Sequence, residues 1–156
     1  MYDALFVMEP PNAATYICSM RIDKACPIII RVKADVAEIL VFQHPHAGVQ
    51  LAKGGLEEGE TCAQAAAREL AEESGLVATS KQHLGNWRSG RKREIWSFHL
   101  MEINTNELPD TWGFFTQDGG GKTFEFYWHP LHKPATDQWN VVYVRAVEWV
   151  QQQLRV

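Results

Sequence analysis

Cysteine is scarce in this chain and poorly placed for cross-linking. Cys18, Cys26 and Cys62 are odd in number and show no CxxC spacing, which argues against a disulfide framework and against a zinc site. They read as reduced thiols. Long apolar runs are also missing: no window approaches a bilayer span, and the start Met1-Tyr2-Asp3-Ala4 lacks the basic and apolar regions of a secretory signal. A cytoplasmic protein without a membrane partner is the expectation. Nor is there an excess of positive charge. With 15 Lys and Arg against 19 Asp and Glu, the net charge of −4 gives no general footprint for nucleic acid and leaves only local patches. Repeats and low-complexity stretches are absent, and 156 residues at 46% hydrophobic content suffice for one core. Residues 1–156 therefore read as a single domain.

What is present is concentrated in residues 54–76. Thr61 and Gln64 form a capping-box pair at a helix start, and Gly75 stands where a left-handed helix terminator is wanted. The Ala-rich run between them has high helix propensity and lets another element approach closely. The expected helix is Cys62 to Ser74. On it Glu69, Glu72 and Glu73 stand at i, i+3 and i+4, which puts three carboxylates within about 5–6 Å of each other at Cβ. At an effective dielectric near 20, two such charges repel by about 3 kcal/mol.

Something cationic has to neutralise that face. Arg68 can pair with Glu72 across one turn but cannot serve all three carboxylates. A hard divalent cation can: Mg²⁺ takes one or two carboxylates and completes its shell with waters and phosphate oxygens. The glycine-rich segment Lys53 to Gly59 brings backbone groups towards the same place. The alternative is an ordinary solvated acidic helix face.

The segment as a whole is Gly54, five residues, Glu60, seven residues, then Arg68-Glu69-Leu70-Ala71-Glu72-Glu73-Ser74-Gly75-Leu76. This resembles the box of the Nudix hydrolase family, with nine specified positions in 23 residues. The resemblance implies an α+β fold, an α/β/α sandwich with a mixed β-sheet between helices. It also implies hydrolysis, dependent on Mg²⁺ or Mn²⁺, of a phosphoanhydride in a nucleoside diphosphate linked to another moiety. By that resemblance Glu69, Glu72 and Glu73 are metal ligands and one of them is a candidate base; Arg68 orients a glutamate, Glu60 lies beside the metal, and Gly54 contributes from its backbone. A further acidic ligand or base is expected from a later loop, with Glu125 the first candidate and Glu94 and Glu102 behind it. The expected partner is a small nucleotide or polyphosphate, with RNA 5′ ends as the one nucleic-acid exception, and homodimers are common in the family. A nucleotide-binding or regulatory module without catalysis is the alternative, although such modules are expected to lose acidic box residues and this chain keeps them.

Elsewhere, Pro27 to Ala34 and Glu38 to Phe42 read as paired strands around a turn at Asp35. His83 to Trp87 and Glu94 to Ile103 read as a hairpin around Ser89-Gly90, and Thr123 to Trp128 as a later strand. Apolar residues at helical spacing make Asp137 to Leu154 an amphipathic helix.

Lys53 is a candidate phosphate contact or a surface-turn residue. Arg88 and Arg91, with Lys92 and Arg93, can grip a polyphosphate or form an exposed hairpin tip. Trp112, Phe114 and Phe115 fall in a long connection, Pro109 to Lys122, and offer either base stacking or core packing. Gly119-Gly120-Gly121-Lys122-Thr123 resembles the end of a P-loop, but the required first glycine falls at Thr116 and a strand follows, so it reads as a flexible loop. The pairs His44/His46 and His129/His132 read as surface or hinge residues beside proline. Proline a little over a dozen residues past the box, a mark of ADP-ribose cleavage in the family, is missing, as is the nearby tyrosine of dinucleoside polyphosphate hydrolases.

Overall fold

The computed structural model describes residues 21–155; Cys18 and the residues at the chain start lie outside them. Eight strands and two α-helices are found there, with two short 3-10 turns at Thr105–Glu107 and Asp118–Gly120: β1 (Lys24–Ile28), β2 (Ile30–Lys33), β3 (Val36–His44), β4 (Gly48–Gln50), α1 (Cys62–Ser74), β5 (Thr79–Arg88), β6 (Ile95–Glu102), β7 (Thr111–Thr116), β8 (Lys122–Pro130) and α2 (Val141–Leu154).

α1 has the bounds its caps dictate. Thr61 Oγ1 accepts from the Gln64 N–H at 3.1 Å and the Gln64 side chain accepts from the Thr61 N–H at 3.0 Å, while Gly75 terminates the helix at φ 78°. Removing such an N-cap typically costs about 1 kcal/mol. α2 starts at Asn140, whose side chain accepts from the Val142 N–H, slightly later than the apolar period alone suggests.

The strands form two sheets. β1 pairs parallel with β6, which pairs antiparallel with β5; the other sheet is antiparallel in the order β2-β3-β8-β7, with β4 added to β3. The single apolar run expected over Pro27 to Ala34 is divided at Ile29, one part entering each sheet. β2 and β3 do pair around a tight turn in which Ala34 and Asp35 take φ of 49° and 63°. The expected structureless connection from Pro109 to Lys122 is corrected by β7, whose Trp112 and Phe114 face the core while it pairs with β8.

Both faces of the central strands are covered, as a three-layer sandwich requires. Along β3 the pleat sends Leu40 and Phe42 towards Ala65, Ala66 and Leu70 of α1, and Ile39 and Val41 towards Val142, Ala146 and Val150 of α2. Each fully buried aliphatic residue of this kind contributes about 1.5–3 kcal/mol. The loop from β4 to α1 is pinned at Gly54, which exchanges backbone hydrogen bonds with Ala25 of β1 at 2.8 and 3.1 Å. That contact sets the acidic face of α1 beside the sheet edge. No helix among the described residues is long and apolar enough to cross a membrane.

Candidate metal and phosphate site

Arg68 organises the acidic face. Its Nε and Nη2 donate to the two oxygens of Glu60, both at 2.8 Å, in a bidentate fork. Nη2 also donates to the Gly55 carbonyl at 2.8 Å, and Nη1 to Glu69 at 2.8 Å and Glu72 at 3.3 Å. One guanidinium thus ties the glycine-rich loop to three box carboxylates. Glu60 is held below the usual carboxylate range by that fork, and Arg68 is held more firmly protonated than usual, chiefly by Glu60.

Beyond Arg68, one oxygen each of Glu69, Glu72 and Asp118 lie within 4.8 Å of one another. Asp118 arrives from the loop between β7 and β8. Burial pushes the Glu69 carboxyl up, against the pull of Arg68. Gly54 makes room for it: a Cβ there would stand 1.9 Å from the Glu69 carboxyl carbon. Three carboxylate oxygens converging on one point, in a space kept open by a glycine, fit a hard divalent cation such as Mg²⁺ or Mn²⁺.

Glu73 faces a different neighbour. Its carboxylate accepts from the Lys53 N–H at 3.1 Å, and burial, then the Glu69 charge, pushes it up to about 8. Glu73 and Lys53 line a cavity of about 170 Å³ together with Asp118, Lys122, His44 and Tyr143. The Lys53 ammonium lies 5.2 Å from the Trp96 ring and 5.7 Å from the Tyr143 ring. Lys122 lies close enough to His44 to add to the effect of burial in lowering the imidazole pKa. The cavity is therefore lined by two acidic residues, Glu73 and Asp118, and two basic ones, Lys53 and Lys122. Such an arrangement can hold a cation and phosphate groups side by side. A larger cavity, about 320 Å³, lies beside α2 around His129 and Trp139, remote from this chemistry.

The structure brings Glu60, Arg68, Glu69 and Glu72 together and sets Lys53 and Glu73 in the adjoining cavity. Gly54 acts here as the open space beside Glu69, and its carbonyl accepts from Ala25. Glu125 is not in the cluster. Phe124, Phe126 and Trp128 turn inward along β8, so the pleat turns Glu125 outward, where it is exposed over Gly113. Glu94 accepts from the Trp96 indole N–H, and Glu102 is exposed at the end of β6. The later residue that the structure sets beside Glu69 and Glu72 is Asp118. The alternation of Phe124, Phe126 and Trp128, already visible in the sequence, is the signal against Glu125.

Arg88 and Arg91 are exposed on the β5–β6 hairpin, outside the cavity. Trp112 packs in the core, stacked on Phe126 at 5.1 Å and donating to the Ser74 carbonyl, and Phe114 packs against Gly75. The His46 N–H donates to His44 Nδ1, and neither histidine pair enters a cluster of potential metal ligands among the described residues.

A family model described as NUDIX domain matches residues 24–150. No curated protein matches the chain. Among solved structures, an ADP-ribose pyrophosphatase from Streptococcus suis superposes with a TM-score of 0.61 at 14% identity, covering 85% of this chain and 91% of that one. The Ap4A hydrolase of C. elegans gives 0.55 at 19% identity, covering 87% and 95%. Shewanella oneidensis NrtR complexed with a 27mer DNA gives 0.58 at 14% identity over 86% of this chain, which spans only 62% of the NrtR chain.

Proposed function

The chain belongs to the Nudix family, and from that premise we propose that its single domain hydrolyses a phosphoanhydride in a nucleoside diphosphate linked to another moiety. The observation that carries the reading is the convergence of Glu69, Glu72 and Asp118 oxygens within 4.8 Å beside a cavity that also presents Lys53 and Lys122. The names of two structural neighbours support the substrate class, since ADP-ribose and Ap4A are both nucleoside diphosphates carrying a second moiety.

A phosphoanhydride is shielded by negative oxygens that repel an incoming hydroxide, so charge must be neutralised and a water deprotonated. Glu69, Glu72 and Asp118 would hold Mg²⁺ or Mn²⁺. Bound there, the cation supplies charge neutralisation and a more acidic water. The protein's own groups do the rest. Arg68 fixes the rotamers of Glu69 and Glu72, with Glu60 as its bidentate brace. Lys53 and Lys122 offer compact positive charges to the phosphate oxygens across the cavity. Glu73, in the same cavity, takes the proton of the attacking water.

The competing reading is a nucleotide-sensing module without turnover. The organised state of Glu60, Glu69 and Glu72 around Arg68, with Glu73 held by the Lys53 N–H, favours catalysis. The test is release of phosphate or nucleotide from nucleoside triphosphates, ADP-ribose, dinucleoside polyphosphates, triphosphorylated RNA and diphosphoinositol phosphates with Mg²⁺ or Mn²⁺, comparing wild type with Glu73→Gln. A preferred substrate lost in the variant is the expected result. Tight metal-dependent binding with no turnover on any of them would move the assignment to sensing.

A further inference from the structure

The larger cavity beside α2 shares no residue with the metal and phosphate site. Its volume, about 320 Å³, falls at the low end of what small-molecule sites enclose. Val144, Val147, Glu148 and Gln151 stand at i, i+3, i+4 and i+7 on α2, so a single stripe of the helix lines it. Further apolar lining comes from Leu131, Pro134 and Ala135, in the loop that follows β8.

Two ring nitrogens of the residues that line this cavity are unpaired. His129 Nε2 lies 3.0 Å from the Lys133 carbonyl, which can only accept, so the proton sits on Nε2 and Nδ1 is left as a bare acceptor. Burial lowers the pKa of this imidazole against the pull of that hydrogen bond, the charges of Lys133 and His132 add to the lowering, and the ring is neutral at neutral pH. Trp139 is only 6% exposed and meets the His129 ring edge-on, with centroids 4.8 Å apart. The buried indoles of Trp96, Trp112 and Trp128 each donate to an oxygen, but the Trp139 N–H has no acceptor among the described residues. No fully buried side-chain nitrogen or oxygen of the described residues lacks a partner, so His129 Nδ1 and Trp139 Nε1 both reach open space.

One acceptor and one donor, on rings in contact, match a ligand edge that carries a donor beside an acceptor. The carbonyl and N–H of a cyclic amide form such an edge. The aliphatic lining suits the faces of a flat ring, and the volume suits a fused bicyclic one. A polyphosphate is disfavoured, since the charges at the cavity, Lys133 and Glu148, are of opposite sign and the bare Nδ1 lone pair repels an anion. A purely aliphatic guest would leave both ring nitrogens unpaired and out of water.

We infer that this cavity is a second ligand site, built for a small, neutral, flat molecule whose cyclic-amide edge accepts from Trp139 Nε1–H and donates to His129 Nδ1. It stands apart from the hydrolase reading, because neither its residues nor its ligand chemistry are those of the catalytic cavity.

The test reads binding by NMR. The full chain labelled with ¹⁵N at tryptophan gives one indole N–H signal for each of six tryptophans, and the Trp139 signal is the one lost in Trp139→Phe. Four probes are titrated: 2-quinolone, a bicyclic cyclic amide; N-methyl-2-quinolone, which lacks the donor; quinoline, which keeps only an acceptor; and quinoline-2-carboxylate, an anion. 2-Quinolone is expected to move the Trp139 signal saturably and to leave in place that of Trp96, whose ring lies 5.2 Å from Lys53 Nζ. Each of the other three is expected to bind about tenfold more weakly, the loss for one unmade hydrogen bond at a largely dry site. His129→Phe keeps a ring beside Trp139 and removes the acceptor, so it weakens 2-quinolone about tenfold while quinoline binds as before. The probe series on the wild type reads the edge even where a variant fails to fold.

Equal affinity for 2-quinolone, its N-methyl derivative and quinoline would reduce the cavity to an apolar cleft and overturn the inference. Tighter binding of the carboxylate, a shift confined to Trp96, or no saturable shift with 2-quinolone would do the same. Nucleotide turnover is unaffected by any of these outcomes, and its absence would leave the Trp139 shifts as they are.

Discussion

Gly54→Ala adds one methyl group at the centre of the site. Gly54 does not use a left-handed φ, so alanine is compatible with its backbone, and the loss of chain entropy in the unfolded state favours the variant by about 0.4–1 kcal/mol. The new Cβ would lie 1.9 Å from the Glu69 carboxyl carbon and 2.0 and 2.2 Å from its two oxygens, where real contacts are essentially never below 3.0 Å. The carboxyl group must retreat by about 1 Å or more. It is the free end of a flexible side chain, so the strain cost falls at or below the low end of the usual 1–3 kcal/mol for overpacking. Net stability is expected to change by less than about 1 kcal/mol. Function is a different matter, because the retreat pulls Glu69 off its 2.8 Å bond to Arg68 and out of the cluster with Glu72 and Asp118. A displacement of about 1 Å at a reacting centre costs about 100-fold in rate. The assay pairs urea unfolding, with and without Mn²⁺, with turnover on the preferred substrate. Wild type at 100 times the metal dissociation constant gains about 2.7 kcal/mol, and the variant gains distinctly less. Wild-type turnover together with an undiminished metal effect would refute the role given to this glycine and to Glu69.

Glu60→Gln removes the charge from the Arg68 fork, where both side chains are mostly buried, and is expected to cost about 1–2 kcal/mol in urea unfolding together with weaker metal stabilisation. Asp118→Asn is expected to lower turnover at least tenfold while Glu125→Gln leaves it near wild type; the opposite ranking in steady-state kinetics would return the later ligand to β8. His99 is 4% exposed between the Ser80 and Ser97 hydroxyls, and burial, helped by the nearby His83, lowers it to about 4. Its folded value lies below the ordinary 6.5, so its contribution is complete above pH 6.5 and lost as the pH falls from 6.5 towards 4, a difference of about 3 kcal/mol. Thermal melts of wild type and His99→Gln at pH 7.5, 5.5 and 4.5 should converge as the pH falls, and a constant gap would contradict the assignment.

The features that could be read from the sequence are those whose causes are local. The bounds of α1 follow from Thr61, Gln64 and Gly75, and the shared face of Glu69 and Glu72 follows from helical spacing, so neither needed knowledge of the rest of the chain. The division of the apolar run at Ile29 between two sheets was not visible, because the partners that claim its halves, β6 and β3, lie far apart in sequence. β7 was hidden for a different reason, since its partner β8 follows directly in the sequence. Thr111 to Thr116 carries a glycine and two turn-like flanks, and only its pairing with β8 makes it a strand.

The exchange of Glu125 for Asp118 follows from the pleat. A strand alternates its side chains with a period of two, so once Phe124 and Phe126 are committed to the core against Phe42, the residue between them cannot reach a site on the α1 side of the sheet. A ligand from this part of the chain must therefore come from before the strand begins. Gly119, Gly120 and Gly121, all at positive φ, let the chain turn back at that point and leave Asp118 beside Glu69 and Glu72. The same turn sets Lys122 at the start of β8, where it lines the cavity with Asp118 and Glu73. The glycine run that reads as a flexible loop is thus the turn that brings an acid, Asp118, and a cation, Lys122, to one cavity. Replacing Gly119 or Gly120 with alanine should separate them at little cost to the core.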